Sequence, residues 1–163
     1  MFILPEKKEL HHILSKIGRD AEPWDLLDEV GYEFCWLDEE YTKEKGIDGC
    51  FSIYEKRIFV NFEYKDSPYN YWDVFSHEFG HLIQDEITNV FYSQEYARRN
   101  VIFPQILRNE QISSVIGAEM MDWKFPMKKK ENHSRLSYFS EGSISFLKNY
   151  YDGIFDVLWE KKI

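Results

Sequence analysis

The chain has 163 residues, of which 44% are hydrophobic and 18% aromatic, and it carries a formal net charge of −9 at neutral pH. This length and apolar content predict a single folded domain over residues 1–163 and exclude an intrinsically disordered chain. The acidic balance argues against the basic face that nucleic-acid binders use, so we expect no direct nucleic-acid partner.

The spacing of apolar residues changes along the chain from a helical period to alternation and back. Helical spacing of apolar residues predicts helices at residues 6–17, 22–31, 68–86, 93–100, 104–123, 137–151 and 153–161. Alternating apolar residues predict strands at residues 32–37, 49–54 and 57–64. Helices, a small sheet and then more helices indicate the α+β class. We expect a small, mostly antiparallel sheet packed against a helical core.

The N-terminal residues, the apolar runs and the cysteines indicate the cellular compartment. The first residues lack the charged and apolar regions of a secretory signal, and no apolar run is long enough to cross a bilayer. The two cysteines, Cys35 and Cys50, do not form a CxxC pair. Reduced thiols without a signal favour a cytoplasmic protein with no membrane partner. The sequence does not decide whether these two cysteines form a disulfide.

The stretch FSHEFGHLIQDE carries the strongest chemical signal. His77 and His81 are four residues apart, so on a helix both project from one face and can chelate one zinc ion. Glu78 lies on a neighbouring sector, where it can reach a water molecule without binding the metal. This is the HExxH pattern, in which zinc acidifies water and polarises a carbonyl while the glutamate transfers protons. It predicts Zn²⁺ as cofactor and Glu78 as general base.

The surroundings of the motif support this interpretation over an ordinary amphipathic helix with hydrogen-bonded histidines. Ser67 and Pro68 are suited to begin a helix, at the N-cap and N1 positions. Polar groups on a core helix are costly to bury unless something satisfies them. Gly80 lies within the predicted helix, where glycine costs about 1 kcal/mol relative to alanine. We therefore expect another element to approach closely at Gly80.

A catalytic zinc ion usually has three protein ligands, so a third must come from elsewhere in the chain. Glu110 is the strongest candidate, because it shares a helix face with Ile106 and Leu107 and is followed by small residues. That face can approach a neighbouring helix closely. Glu141, in YFSEGSISF, is the alternative ligand, although Ser140 and Glu141 also suit an ordinary helix start.

Three segments resemble the ImmA/IrrE-type zinc metallopeptidases. GCFSIYEKRIFVNFEY is similar to the hairpin of that family, FSHEFGHLI to its HExxH helix, and NEQISSVIGAEMM to its second zinc helix. In this register Glu110 takes the position of the third ligand. Ser113 and Ser114 depart from the family, which commonly has Ala-Asn there. The resemblance covers roughly residues 49–121.

The resemblance implies a cytoplasmic regulatory protease whose protein or peptide substrate can be a transcription repressor. Its site would be gluzincin-like, with His77, His81 and Glu110 as ligands. The rival interpretation is a non-catalytic, zinc-containing binding protein that uses the same scaffold to sequester a regulator. Glu78 argues against the rival, because a structural zinc site needs no base.

Overall fold

The computed structural model describes residues 15–16, 18–83 and 103–134. The helices predicted at residues 93–100, 137–151 and 153–161 lie outside these ranges, as does Glu141. Of the helix predicted at 6–17, only Ser15 and Lys16 are described, and both are helical. The prediction of one domain over residues 1–163 stays a prediction.

The described residues form an α+β structure, as predicted. The strands are β1 (Glu33–Leu37), β2 (Gly49–Ser52) and β3 (Arg57–Asn61). The α-helices are α1 (Pro23–Glu29), α2 (Glu39–Lys45), α3 (Pro68–Leu82), α4 (Phe103–Lys124) and α5 (Lys129–Asn132). Short 3-10 turns follow β3 and α4, at Phe62–Tyr64 and Pro126–Lys128.

The sheet is mixed, so the prediction of a mostly antiparallel sheet was wrong. The strand order is β1-β3-β2, with β1 parallel and β2 antiparallel to β3. The hairpin of β2 and β3 places β3 in the middle, where its Ile58 and Val60 are fully buried. Because α2 carries the chain across between β1 and the hairpin, β1 can run in the same direction as β3.

The strand register places Cys35 and Cys50 too far apart to form a disulfide. Cys35 of β1 and Cys50 of β2 both pair with Phe59, from opposite sides of β3. Their Cα atoms are therefore two strand spacings apart, about 10 Å, whereas a disulfide requires about 4.4–6.8 Å. The two thiols are free, and they cannot form a bridge within this sheet.

β2 and β3 end earlier than predicted, because a turn ends β2 and a side-chain cap ends β3. β2 ends at Ser52, and residues 53–56 form the turn, in which Lys56 has a φ of 54°. β3 ends at Asn61, whose side-chain oxygen accepts a hydrogen bond from the Glu63 backbone N–H at 3.0 Å. That bond caps the 3-10 turn, so residues 62–64 leave the sheet.

Helix α2 was not predicted, although its sequence contains cap signals. The Asp38 carboxylate accepts hydrogen bonds from the backbone N–H groups of Glu40 and Tyr41. Gly46 ends the helix in the left-handed conformation, with a φ of 67°. An acidic N-cap and a C-terminal glycine define even this short polar helix.

Helix α3 lies at the centre of the described structure and contacts β2, β3 and α4. It begins as predicted, with Ser67 as N-cap and Pro68 at its first position. Three aromatic side chains of α3 are fully buried: Trp72, Phe75 and Phe79. They pack into one core with residues of β3 and α4. Helix α3 thereby holds the HExxH motif between the sheet and α4.

Candidate metal centre

The three predicted ligands meet on facing surfaces of α3 and α4. His77 Nε2 lies 3.1 Å from Glu110 Oε2, and His81 Nε2 lies 3.2 Å from Glu110 Oε1. The two imidazole rings are 4.9 Å apart and nearly perpendicular. Within the described part of the chain, these three side chains form a group whose potential ligand atoms all lie within 4.8 Å of one another.

The donor set fits zinc. Two imidazole nitrogens and a carboxylate are the ligands that catalytic zinc uses, and bonds of about 2.0–2.1 Å in a tetrahedron put neighbouring donors about 3.3 Å apart. The nitrogen–oxygen distances of 3.1 and 3.2 Å are close to that spacing. The His81 side chain is only 9% exposed, whereas Glu110 is 39% exposed. The cluster is thus buried on the His81 side and accessible to solvent on the Glu110 side.

The electrostatics of the cluster keep its carboxylate ionised. Burial alone would raise the pKa of Glu110, but its hydrogen bonds with His77 and His81 hold that pKa well below its usual range. Metal ligands bind in their deprotonated form, so an ionised carboxylate facing two imidazoles is ready to accept a cation.

Close packing of α3 against α4 brings the ligands together. A Cβ on Gly80 would lie 2.6 Å from Ser113 Oγ, and one on Gly117 would lie 3.1 Å from the backbone nitrogen of His77. The predicted close approach at Gly80 is therefore confirmed, and the approaching element is α4. Because Gly80 meets Ser113 whereas His77 meets Gly117, the two helices run antiparallel.

Two adjacent serines of α4 hold His77. The Ser113 hydroxyl donates a hydrogen bond to the backbone carbonyl of His77. Ser114 Oγ lies 3.2 Å from Nδ1 of the His77 ring, on the side away from Glu110. A group that holds the second nitrogen of a histidine ligand fixes the ring so that the first nitrogen faces the metal. Sequence reasoning had identified these serines only as small residues.

Glu78 lies outside the donor group, on the side of α3 that faces β2. A Cβ on Gly49 would lie 3.5 Å from Glu78 Cγ, so the glutamate stem packs against the start of β2. Burial, and next the charge of Glu78, raise the pKa of the Cys50 thiol to about 11. Glu78 is therefore next to His77 in sequence, but it is not one of the three side chains of the donor group.

His133 pairs with an acidic side chain of α4, away from the cluster. Its Nε2 lies 2.7 Å from Asp122 Oδ2. Asp122 is twelve residues beyond Glu110 on α4, which at 1.5 Å per residue is about 18 Å along the helix. His133 thus belongs to the far end of the helix pair.

A polar network surrounds that far end. The amide of Asn132, which is buried, donates to Asp122 Oδ1 and to the Phe125 carbonyl. Its oxygen accepts a hydrogen bond of 2.9 Å from the hydroxyl of Tyr69. Tyr69 is in the first turn of α3, whereas Asp122 is near the end of α4. The network ties the two ligand-bearing helices together at the end opposite to the cluster.

Comparisons with models of protein families, with curated proteins and with solved structures find no match for this chain. Among the residues that the structure describes, no helix combines the length and the apolar character needed to cross a membrane. Inferences about function therefore depend on the geometry of the cluster and on the resemblance of its motifs.

Proposed function

We propose that this chain is a zinc-dependent metallopeptidase of the ImmA/IrrE type that hydrolyses peptide bonds in a protein or peptide. The observation that carries the proposal is the convergence of His77, His81 and Glu110, which come from two helices. His77 and Glu110 are 33 positions apart in the sequence. The HExxH spacing accounts for two of these donors. The carboxylate joins them only because the fold brings α4 against α3.

Each residue has a separate role in the proposed mechanism. His77, His81 and Glu110 would hold Zn²⁺, which when bound supplies a Lewis acid that polarises the scissile carbonyl and acidifies water. Glu78 accepts the proton of the attacking water, holds it on its carboxylate and delivers it to the leaving amine. The stem of Glu78 lies beside Gly49, on the side of the helix that faces β2.

The resemblance of the motifs supports a regulatory role for the peptidase. A protein of this type acts in the cytoplasm on a regulator such as a transcription repressor. Contact with nucleic acid is then indirect, which agrees with the net charge of −9. The non-catalytic alternative, in which the scaffold binds and sequesters the regulator, makes a different prediction for Glu78 and is tested by the same experiment.

The decisive experiment compares the wild-type protein with Glu78→Gln. Both proteins are loaded with zinc and incubated with a library of peptides of mixed sequence, and mass spectrometry then counts new peptide termini. The wild type should produce new termini that disappear when a chelator is added. Glu78→Gln should produce none, although elemental analysis still finds about one zinc ion per chain.

Glu119→Gln is the matched control, because Glu119 is a half-buried glutamate of α4 that lies outside the donor group. This variant should cleave like the wild type. Equal cleavage by the wild type and Glu78→Gln would contradict the proposed mechanism. An absence of cleavage with zinc firmly bound would favour the sequestering alternative.

A further inference from the structure

We propose that Ser114 is a positioning residue whose hydroxyl reverses its hydrogen bond with His77 when the metal binds. The inference rests on the metal site of the proposed function and concerns how that site changes between its metal-free and metal-bound forms. Its basis is that both ring nitrogens of His77 have partners. Nε2 faces Glu110 Oε2 at 3.1 Å, and Nδ1 faces Ser114 Oγ at 3.2 Å.

Ser114 is well held for this role. It lies one helical turn after Glu110 on α4, so both residues face α3. It is buried, and the helix backbones approach closely at this point, where a Cβ on Gly117 would lie 3.1 Å from the backbone nitrogen of His77. A buried hydroxyl needs a hydrogen-bond partner. The ring nitrogen of His77 supplies that partner from α3.

A neutral imidazole has one N–H group and one lone pair, on different nitrogens. In the metal-free protein, a proton on Nε2 lets the ring donate to the ionised carboxylate of Glu110. Nδ1 then presents its lone pair, and the Ser114 hydroxyl donates to it. The 3.1 Å and 3.2 Å contacts are both satisfied in this arrangement.

Metal binding requires the lone pair of Nε2 to face the cation. The proton of the neutral ring must then be on Nδ1, where it is donated to Ser114 Oγ. The ring exchanges one N–H proton for the other through solvent, and the number of bound protons does not change. A hydroxyl both donates and accepts, so Ser114 fits either tautomer.

Ser113 provides the contrast. It is adjacent to Ser114 and also buried, but its hydroxyl binds the backbone carbonyl of His77 and not the ring. Loss of the Ser113 hydroxyl should therefore weaken helix packing without changing which tautomer the ring adopts. Loss of the Ser114 hydroxyl should affect the ring directly. Comparing the two serines separates positioning of the ring from general support of the helix pair.

The experiment measures zinc affinity and the tautomer of His77 in four full-length proteins: the wild type, Ser114→Ala, Ser114→Thr and Ser113→Ala. Zinc affinity is obtained by competition with a fluorescent chelator. The protonated ring nitrogen is identified by ¹⁵N NMR at about pH 8, where imidazole is ordinarily neutral. Urea unfolding shows whether each variant remains folded.

We expect the wild-type ring to carry its proton on Nε2 without metal and on Nδ1 with zinc. Ser114→Ala should bind zinc about 10- to 100-fold more weakly, the usual cost of losing a partner of a histidine ligand. Ser114→Thr, which keeps the hydroxyl, should bind within a few-fold of the wild type. Ser113→Ala should keep the wild-type change of tautomer.

Two results would overturn the inference. One is a wild-type ring that carries its proton on Nδ1 both with and without zinc. The other is wild-type zinc affinity in Ser114→Ala. Both readouts are independent of cleavage, so a protein that binds zinc and changes tautomer but cleaves nothing would refute the peptidase function alone. If Ser114→Ala does not fold, the wild-type spectra and Ser114→Thr still decide the question.

Discussion

Gly80 of α3 lies against Ser113 of α4 so closely that a Cβ on the glycine would stand 2.6 Å from the serine Oγ and 2.7 Å from its backbone oxygen. A hydroxyl can rotate away, but a backbone oxygen within a helix cannot. This contact sets how near the two helices lie, and so how near Glu110 is to the histidines.

Gly80→Ala should separate the helices. Alanine gains about 1 kcal/mol of helix propensity over glycine, but overpacking a core contact costs about 1–3 kcal/mol. We expect the free energy of unfolding to fall by about 1 kcal/mol and zinc affinity to fall as well, since the ligands come from both helices. Urea unfolding and chelator competition measure the two effects.

Gly117→Ala is the graded control for that variant. Its Cβ would lie 3.1 Å from the nitrogen of His77, which is tight but less severe than the contact at Gly80. The loss of stability should be smaller than for Gly80→Ala. If the order is reversed, Gly80 does not set the helix separation.

Glu110→Gln should remove a charged ligand while keeping the size of the side chain. We expect zinc affinity to fall at least 100-fold, because a carboxylate that the histidines hold ionised becomes a neutral amide. Glu119→Gln, on the same helix, should bind zinc like the wild type. Glu141→Gln tests the alternative ligand directly, and a large loss of affinity there with none in Glu110→Gln would reassign the third ligand.

The reactivity of the Cys50 thiol should depend on the charge of Glu78. Burial and the Glu78 charge raise its pKa to about 11, so the thiol should stay protonated and react slowly with iodoacetamide near neutral pH. A pKa raised by folding stabilises the protein below the ordinary thiol pKa, and this contribution is lost as pH rises towards 11. The rate of alkylation should rise over the same range.

In zinc-free protein with Cys35→Ser, Glu78→Gln should move the pH profile of Cys50 alkylation to lower pH. Glu55→Gln should move it less, because Glu55 is the smaller charge effect on this thiol. Burial should keep both profiles above that of an ordinary thiol. An unchanged profile in Glu78→Gln would mean that the carboxylate does not face β2.

Asn132→Ala should destabilise the far end of the helix pair. The variant leaves Tyr69 and Asp122 without a buried amide partner, which typically costs about 1–3 kcal/mol. Tyr69→Phe removes one of these hydrogen bonds and should cost about 1 kcal/mol. Urea unfolding gives both values, and equal stability of Asn132→Ala and the wild type would show that the network adds nothing.

The sequence predicted α3 and α4 well because each has its own local signals. Ser67 and Pro68 mark the beginning of α3, and apolar spacing marks its buried face. The HExxH spacing is equally local, since it places two donors on one turn of helix. The position of Glu110 beside the histidines was predictable because small residues follow it on a face suited to close packing.

Features that depend on distant contacts were not predictable in the same way. The parallel pairing of β1 with β3 depends on which strand takes the central position, and alternation of apolar residues does not specify this. The role of Ser114 depends on the register between α3 and α4. Helix α2 was missed for another reason, because it has caps but little apolar periodicity.

The order β1-β3-β2 has a consequence for the sequence of events in folding. β2 and β3 are joined by a four-residue turn, so their pairing requires closure of only a short loop. β1 pairs with β3, whose residues are synthesised later and lie more than twenty positions further along the chain. Pairing of β1 therefore requires closure of a longer loop. We expect the hairpin to form early and β1 to join late, so changes in the hairpin should slow folding, whereas changes in β1 should mainly accelerate unfolding.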